Sequence, residues 1–151
     1  MKRFLTEVLL TLVLLAVCGG SREGKELRQI GRALDVDLSA GTLVRFEDSH
    51  GGFLGDGKSV AEIAIDGLEG ELAETSGWRS LPMTDSAAQA VRLCGEEGAL
   101  VEDGFYYLYD RHSDSADPYD DSQLHERYSW NFTAAVYDSG NGRLYFYEFD
   151  T

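Results

Sequence analysis

The pair Asn141-Gly142 limits what this chain can fold into more than any other stretch. It stands between two runs rich in aromatic and β-branched residues, Tyr128 to Tyr137 and Arg143 to Phe149. Asn-Gly tolerates the positive φ angles of a tight hairpin, and its flanks suit a pleated surface, so the chain's last portion reads as two antiparallel strands. Phe105-Tyr-Tyr-Leu-Tyr109 reads as another strand by its aromatic content. Upstream, Gly41 to Glu47 and Ser59 to Ile65 are strand-like on either side of the glycine-dense segment Asp48 to Gly57. That arrangement predicts a second hairpin with a long tip.

Helical spacing appears between these strands. Leu27, Ile30 and Leu34 recur within Gly24 to Leu34, a short amphipathic helix weakened by Gly31. Leu68 to Thr75 reads as a brief helix ended by Ser76-Gly77, and Asp85 or Ser86 caps another over Ala87 to Leu93. Trp78 to Pro82 reads as an extended connector. The order predicts an α+β fold, with a mainly antiparallel sheet of about five strands and two or three short helices on one face. Trp130, Phe132, Ala134 and Val136 are expected to face the core, and Asn131, Thr133, Ala135 and Tyr137 to face away. The chain has 151 residues, 43% of them hydrophobic, including two Trp, eight Tyr and seven Phe. That is enough apolar mass for one domain, expected over residues 25–151, and argues against disorder.

Residues 1–18 have a different character. Lys2 and Arg3 precede an apolar run from Val8 to Val17 that ends at Cys18. The run is too short to span a bilayer, which takes about 20 residues, but suits an export signal. It resembles the signal peptide of a bacterial lipoprotein, with Leu15-Ala16-Val17-Cys18 in the place of the lipobox. The resemblance implies that Cys18 carries lipid, residues 19–24 form a flexible tether, and the domain stands outside the cytoplasm on the cell membrane. Cleavage without lipidation would make the protein secreted. With Cys18 so used, Cys94 has no partner for an internal disulfide and reads as a half-buried structural thiol.

The formal charge is −14. Lys2, Arg3 and Glu7 belong to the leader, so the remainder holds 11 basic against 26 acidic side chains, a charge of −15. Such a surface repels nucleic acid and anionic headgroups, and favours a cation or a basic peptide or protein as partner. A monomer is expected.

Two polar stretches are candidate sites. The first, Asp48 to Gly57, places His50 between Asp48 and Asp56 on a glycine-permissive loop; its plain alternative is a hairpin tip. The second, Asp110 to Asp121, holds five aspartates in twelve residues, a density that favours a divalent cation, although the EF-hand spacing is absent. Its plain alternative is a solvated loop in which Asp114 and Asp117 act as turn residues. Asp48-Ser-His50 and Asp110-Arg-His112 repeat an Asp-x-His pattern after apparent strands. Were the two strand ends to share a rim, Asp48, His50, Asp110 and His112 would converge as metal ligands or an acid/base pair. Arg111 is a candidate for gripping an anionic ligand group or, more plainly, for pairing with neighbouring carboxylates.

The Asp-Ser-His-Gly-Gly-Phe loop, the Asp-Arg-His-Ser-Asp-Ser segment and the Asn-Phe-Thr-Ala-Ala-Val-Tyr-Asp strand together resemble an uncharacterised family of small bacterial lipoprotein-type proteins. The resemblance brings no activity with it. Three function classes therefore stand as expectations. The first is a non-enzymatic, membrane-tethered extracytoplasmic domain that binds a cation or cationic peptide. The second is a metal-dependent hydrolase using the His/Asp set. The third is an interaction module presenting an aromatic sheet face through Tyr106, Tyr107, Tyr109, Tyr145 and Tyr147.

Overall fold

The computed structural model describes residues 21–51 and 55–151. The leader, Cys18, residues 19 and 20 of the expected tether and the tip residues 52–54 lie outside that description. The class is α+β. Among the described residues three helices, α1 (Arg22–Leu34), α2 (Glu69–Glu74) and α3 (Asp85–Cys94), accompany six strands: β1 (Thr42–Asp48), β2 (Gly57–Ala64), β3 (Trp78–Ser80), β4 (Gly104–Asp110), β5 (Phe132–Asp138) and β6 (Arg143–Asp150). Short 3₁₀ turns cover Gly98–Leu100 and Leu124–Glu126.

The strands form one antiparallel sheet in the order β1-β2-β6-β5-β4-β3. The last strand of the chain therefore lies inside the sheet, paired with β5 through the predicted hairpin and with β2 from the other hairpin. That hairpin closes at Asp138 and Arg143, where Gly142 (φ 58°) supplies the left-handed residue and Asp138 Oδ1 accepts the Gly140 N–H at 2.9 Å. The sixth strand is Trp78–Ser80, expected as a connector. It pairs with β4, and its Trp78 indole N–H donates to the Leu34 carbonyl at 3.2 Å, closing the end of α1.

The helices divide between both faces of the sheet instead of sharing one. α1 and α2 cover the face bearing Ile63, Tyr107, Ala135, Tyr137 and Phe146. α3 covers the face bearing Val60, Leu108, Phe132, Ala134, Val136 and Tyr147. The expected outward set held the clue: Ala135 and Tyr137 are apolar, and every residue from Phe132 to Tyr137 is buried. A one-sided helix layer would leave one of these faces in water, at roughly 25 cal/mol for each Å² of apolar surface. The aromatic-face reading fails for the same reason. Tyr106, Tyr107 and Tyr147 are buried, Tyr109 and Tyr145 partly so, and the five divide between the two faces.

Helix ends also differ from expectation. Ser21 caps α1 by accepting the Gly24 N–H at 3.1 Å, so residues 21–24 belong to the domain and not to a tether. Gly31, expected to weaken the helix, is where the chain needs a residue without a Cβ. The chain doubles back there, Val36 N–H donates to the Gly31 carbonyl at 2.9 Å, and a Cβ on Gly31 would sit 2.6 Å from the Val36 oxygen. Thr84, one residue before Asp85, caps α3 through the Ala87 N–H at 3.1 Å.

Candidate functional site

The register brings the ends of β1, β4 and β6 and the starts of β2 and β5 to one rim of the sheet, since Asp48 opposes Ser59, Ser59 opposes Glu148, Phe132 opposes Phe149 and Asp110 opposes Phe132. Both Asp-x-His segments leave the sheet here, which meets the condition set for their convergence. Their local geometry is shared. Asp48 Oδ1 accepts the His50 backbone N–H, and Asp110 Oδ1 accepts the His112 backbone N–H, each at 3.0 Å. The strands have ended, so each Asp folds back on its own turn instead of pointing with its His across a common face.

Beyond the turn the two segments diverge. The His50 ring lies between two carboxylates: Nδ1 is 2.7 Å from Asp48 and Nε2 is 3.0 Å from Asp150 at the end of β6. Burial works against charging this imidazole, but hydrogen bonds and attraction from Asp48 and Asp150 outweigh it and lift His50 above its ordinary range. In turn, hydrogen bonds from the His50 backbone and ring hold Asp48 below the usual carboxylate range. Both ring nitrogens donate to these carboxylates together only when both carry protons.

Arg111 continues this network. Its guanidinium pairs with Glu148 and Asp150, meets Thr133 Oγ1 at 3.1 Å and donates to the Phe149 carbonyl at 3.1 Å. One line of contacts thus runs from β1 through His50 and Asp150 to Arg111, Glu148 and Thr133. Arg111 does pair with carboxylates, but they come from β6, far along the chain. Glu148, Asp150 and Ser59 were not singled out by the sequence. The spacing of Glu148 and Asp150, two apart near the end of an aromatic strand, was a usable signal that they share a face.

Asp110 and His112 do not join this line as ligands. The Asp110 carboxylate is buried and paired with Arg127, and His112 Nδ1 is 3.0 Å from the Asn131 side-chain nitrogen. Among the described residues, no three His, Cys, Asp or Glu side chains gather in a way that could hold a metal ion. The aspartate-rich segment is likewise turned inward on its own backbone. Asp117 accepts the Tyr119 N–H at 2.9 Å, Asp120 the Ser122 N–H at 3.0 Å, and buried Asp121 receives the Thr84 hydroxyl. Asp114 is exposed. Asp56 is also exposed, and its carbonyl closes the second hairpin by accepting the Gly51 N–H at 3.4 Å.

Ser59, His50 and Asp150 have the identities of a nucleophilic triad, with Ser59 Oγ 3.2 Å from His50 Nδ1. Their arrangement does not serve that chemistry. Ser59 is buried, its hydroxyl donates to Asp48 at 3.2 Å, and both His50 ring nitrogens are already engaged by carboxylates. Cys94 is buried too, and burial pushes its thiol up to about 12, far from a reactive thiolate.

A surface groove of about 590 Å³ lies elsewhere, between α1 and the turn after it; Leu27, Arg28, Arg32, Asp35, Asp37 and Glu71 are among its lining residues. None of the rim residues lines it, and its Glu71 carboxylate is engaged by the Asp37 backbone N–H at 2.8 Å. No helix among the described residues is long and apolar enough to cross a membrane. Comparison with protein-family models, with curated proteins and with solved structures returned no match.

Proposed function

We propose that this chain is a binding domain, held at the extracytoplasmic face of a bacterial membrane by lipid on Cys18, whose acidic exterior receives a basic peptide or protein. The observation that carries this reading is an imbalance of commitment. At the rim, His50, Arg111, Asp110 and Ser59 all have internal partners, which favours structure over turnover. Most of the 26 acidic side chains between residues 21 and 151 stand in no ion pair among the described residues, with only 11 basic ones to answer them. Excess charge of one sign destabilises the compact state by self-repulsion, and a partner of opposite sign relieves it. The turn geometry of the Asp110 to Asp121 segment favours a basic polypeptide over a calcium ion as that partner, because Asp110, Asp117 and Asp120 are each engaged with a separate backbone N–H group.

Calorimetric titration and thermal melts of the full chain with a lysine-rich peptide test the reading, with a glutamate-rich peptide as control. The lysine peptide is expected to bind and raise Tm at low salt, with both effects fading as the screening length falls towards ~3 Å near 1 M salt. Absence of binding to the lysine peptide at low salt would sink the proposal. A melt with and without EDTA is expected to show no shift, and a large one would restore a metal-dependent reading. Loss of a palmitate label in Cys18→Ser is the expected result for the anchor; retained label or an unlabelled wild type removes it.

A further inference from the structure

We infer that the outer edge of β1 accepts an extended basic peptide as an added strand. This inference rests on the proposed binding function and locates it on the domain. The sheet has two edges, and they are treated differently. At the β3 edge, three residues long, the Arg79 guanidinium donates to the Tyr119 carbonyl, and the Tyr119 ring lies so close to Gly77 that a Cβ there would overlap it. The Asp110 to Asp121 segment therefore guards that edge. β1 is seven residues long and, among the described residues, pairs with β2 alone.

The β1 edge also carries the features that an added strand would read. The Leu43 N–H is already taken by the Glu23 carboxylate at 3.0 Å, so an added strand would pair along the part of β1 that follows, up to Asp48. Beside it, a groove of about 290 Å³ opens between the first turn of α1 and β1, lined by Leu43 and Phe46 with Arg22, Glu23 and Glu26. Val44 is 51% exposed, unusual for a strand valine. Strand addition draws affinity from main-chain hydrogen bonds and specificity from pockets for alternate side chains. Here the apolar floor suits alternate valine-like side chains, and the carboxylate walls suit lysine or arginine between them.

Charge separates this occupant from a second copy of the chain. Arg45 is taken up by Glu47 at 3.8 Å and Glu97 at 3.3 Å, which leaves Arg22 as the basic side chain lining the groove. Two copies meeting through β1 would bring their glutamates together, and like charges across an interface are strongly disfavoured.

The test uses the full chain with an alternating lysine–valine peptide about as long as β1, and the same peptide carrying N-methyl groups on alternate amides. The two have equal charge, and only the first can form a ladder. The parent peptide is expected to bind at least about tenfold more tightly, the loss that failing hydrogen bonds produce, and to slow hydrogen exchange along β1. Glu23→Gln with Glu26→Gln should weaken it several-fold while leaving Tm in place. Equal binding of both peptides would overturn strand addition and leave the acidic binding function standing. Binding of neither would remove both. Protection of β1 that rises with protein concentration, without peptide, would identify a second copy and overturn the inference.

Discussion

Asp48-Ser49-His50 and Asp110-Arg111-His112 begin alike and end differently. In each the Asp carboxylate holds the His backbone N–H at 3.0 Å, so three letters of sequence do produce a common turn. The rings then meet unlike surroundings. His50 is drawn between Asp48 and Asp150, while exposed His112 faces the Asn131 amide. The aspartates part as well: the Asp110 side chain is only 2% exposed and paired with Arg127, whereas that of Asp48 is 47% exposed. A local pattern fixes the turn, and the strands that arrive beside it fix the chemistry.

The strongest way to break this comparison is to delete the two aspartates separately. Asp110→Ala strips a buried pair of one partner and leaves Arg127 uncompensated, an effect of about 3–5 kcal/mol. Asp48→Ala removes a half-exposed partner and should cost no more than about 1 kcal/mol. Urea midpoints at neutral pH measure both. Equal losses would mean that burial does not separate the two turns. Next in size is Arg111→Ala, which leaves Glu148 and Asp150 facing each other without their shared cation. A loss of about 2–3 kcal/mol is expected. Because Asp150 also contacts His50, a double-mutant cycle between Arg111→Ala and His50→Ala should show coupling above about 0.5 kcal/mol. Additive losses would separate the rim into two independent halves.

Much of the fold was legible because it is local. Asn141-Gly142 marked its hairpin, and Leu27, Ile30 and Leu34 marked the buried stripe of α1. What escaped was neighbourhood. No spacing within β6 says that it pairs with β2 as well as β5, yet that pairing carries Asp150 to His50. Likewise the acidic Asp110 to Asp121 segment reads as a cation loop by composition, but Asp110, Asp117 and Asp120 each close a turn two residues on, a use that composition cannot distinguish. The double-sided core was readable in part. Ala135 and Tyr137, on the strand face expected to meet solvent, already lacked the polar groups such a face carries.

A smaller effect sharpens the comparison through pH. His50 has its folded pKa raised, so its stabilising contribution is fully present below the unfolded value of about 6.5 and is lost as pH rises through the folded value. Asp48 works in the opposite sense. Its folded pKa is lowered, so its contribution is present above about 3.9 and is lost as pH falls through the folded value. Urea midpoints of the wild type should therefore decline from about pH 6.5 upward, and His50→Gln should remove that decline. An unchanged slope in His50→Gln would assign the titration to another group.

The smallest expected effect is the most discriminating between a shared His site and two separate turns. His112→Ala keeps the backbone N–H that Asp110 holds and removes a ring that meets only the edge of Asn131 among its side-chain partners. Exposed substitutions of this kind usually fall within about 0.5 kcal/mol. Binding of the lysine–valine peptide should be unchanged as well, since β1 and its groove lie at the far edge of the sheet, with β2, β6 and β5 between them and β4. If His112→Ala instead shifted the His50 imidazole resonances in an NMR titration, the two rings would be coupled across the rim, and Arg111, anchored on Glu148 and Asp150, would be the element carrying that coupling.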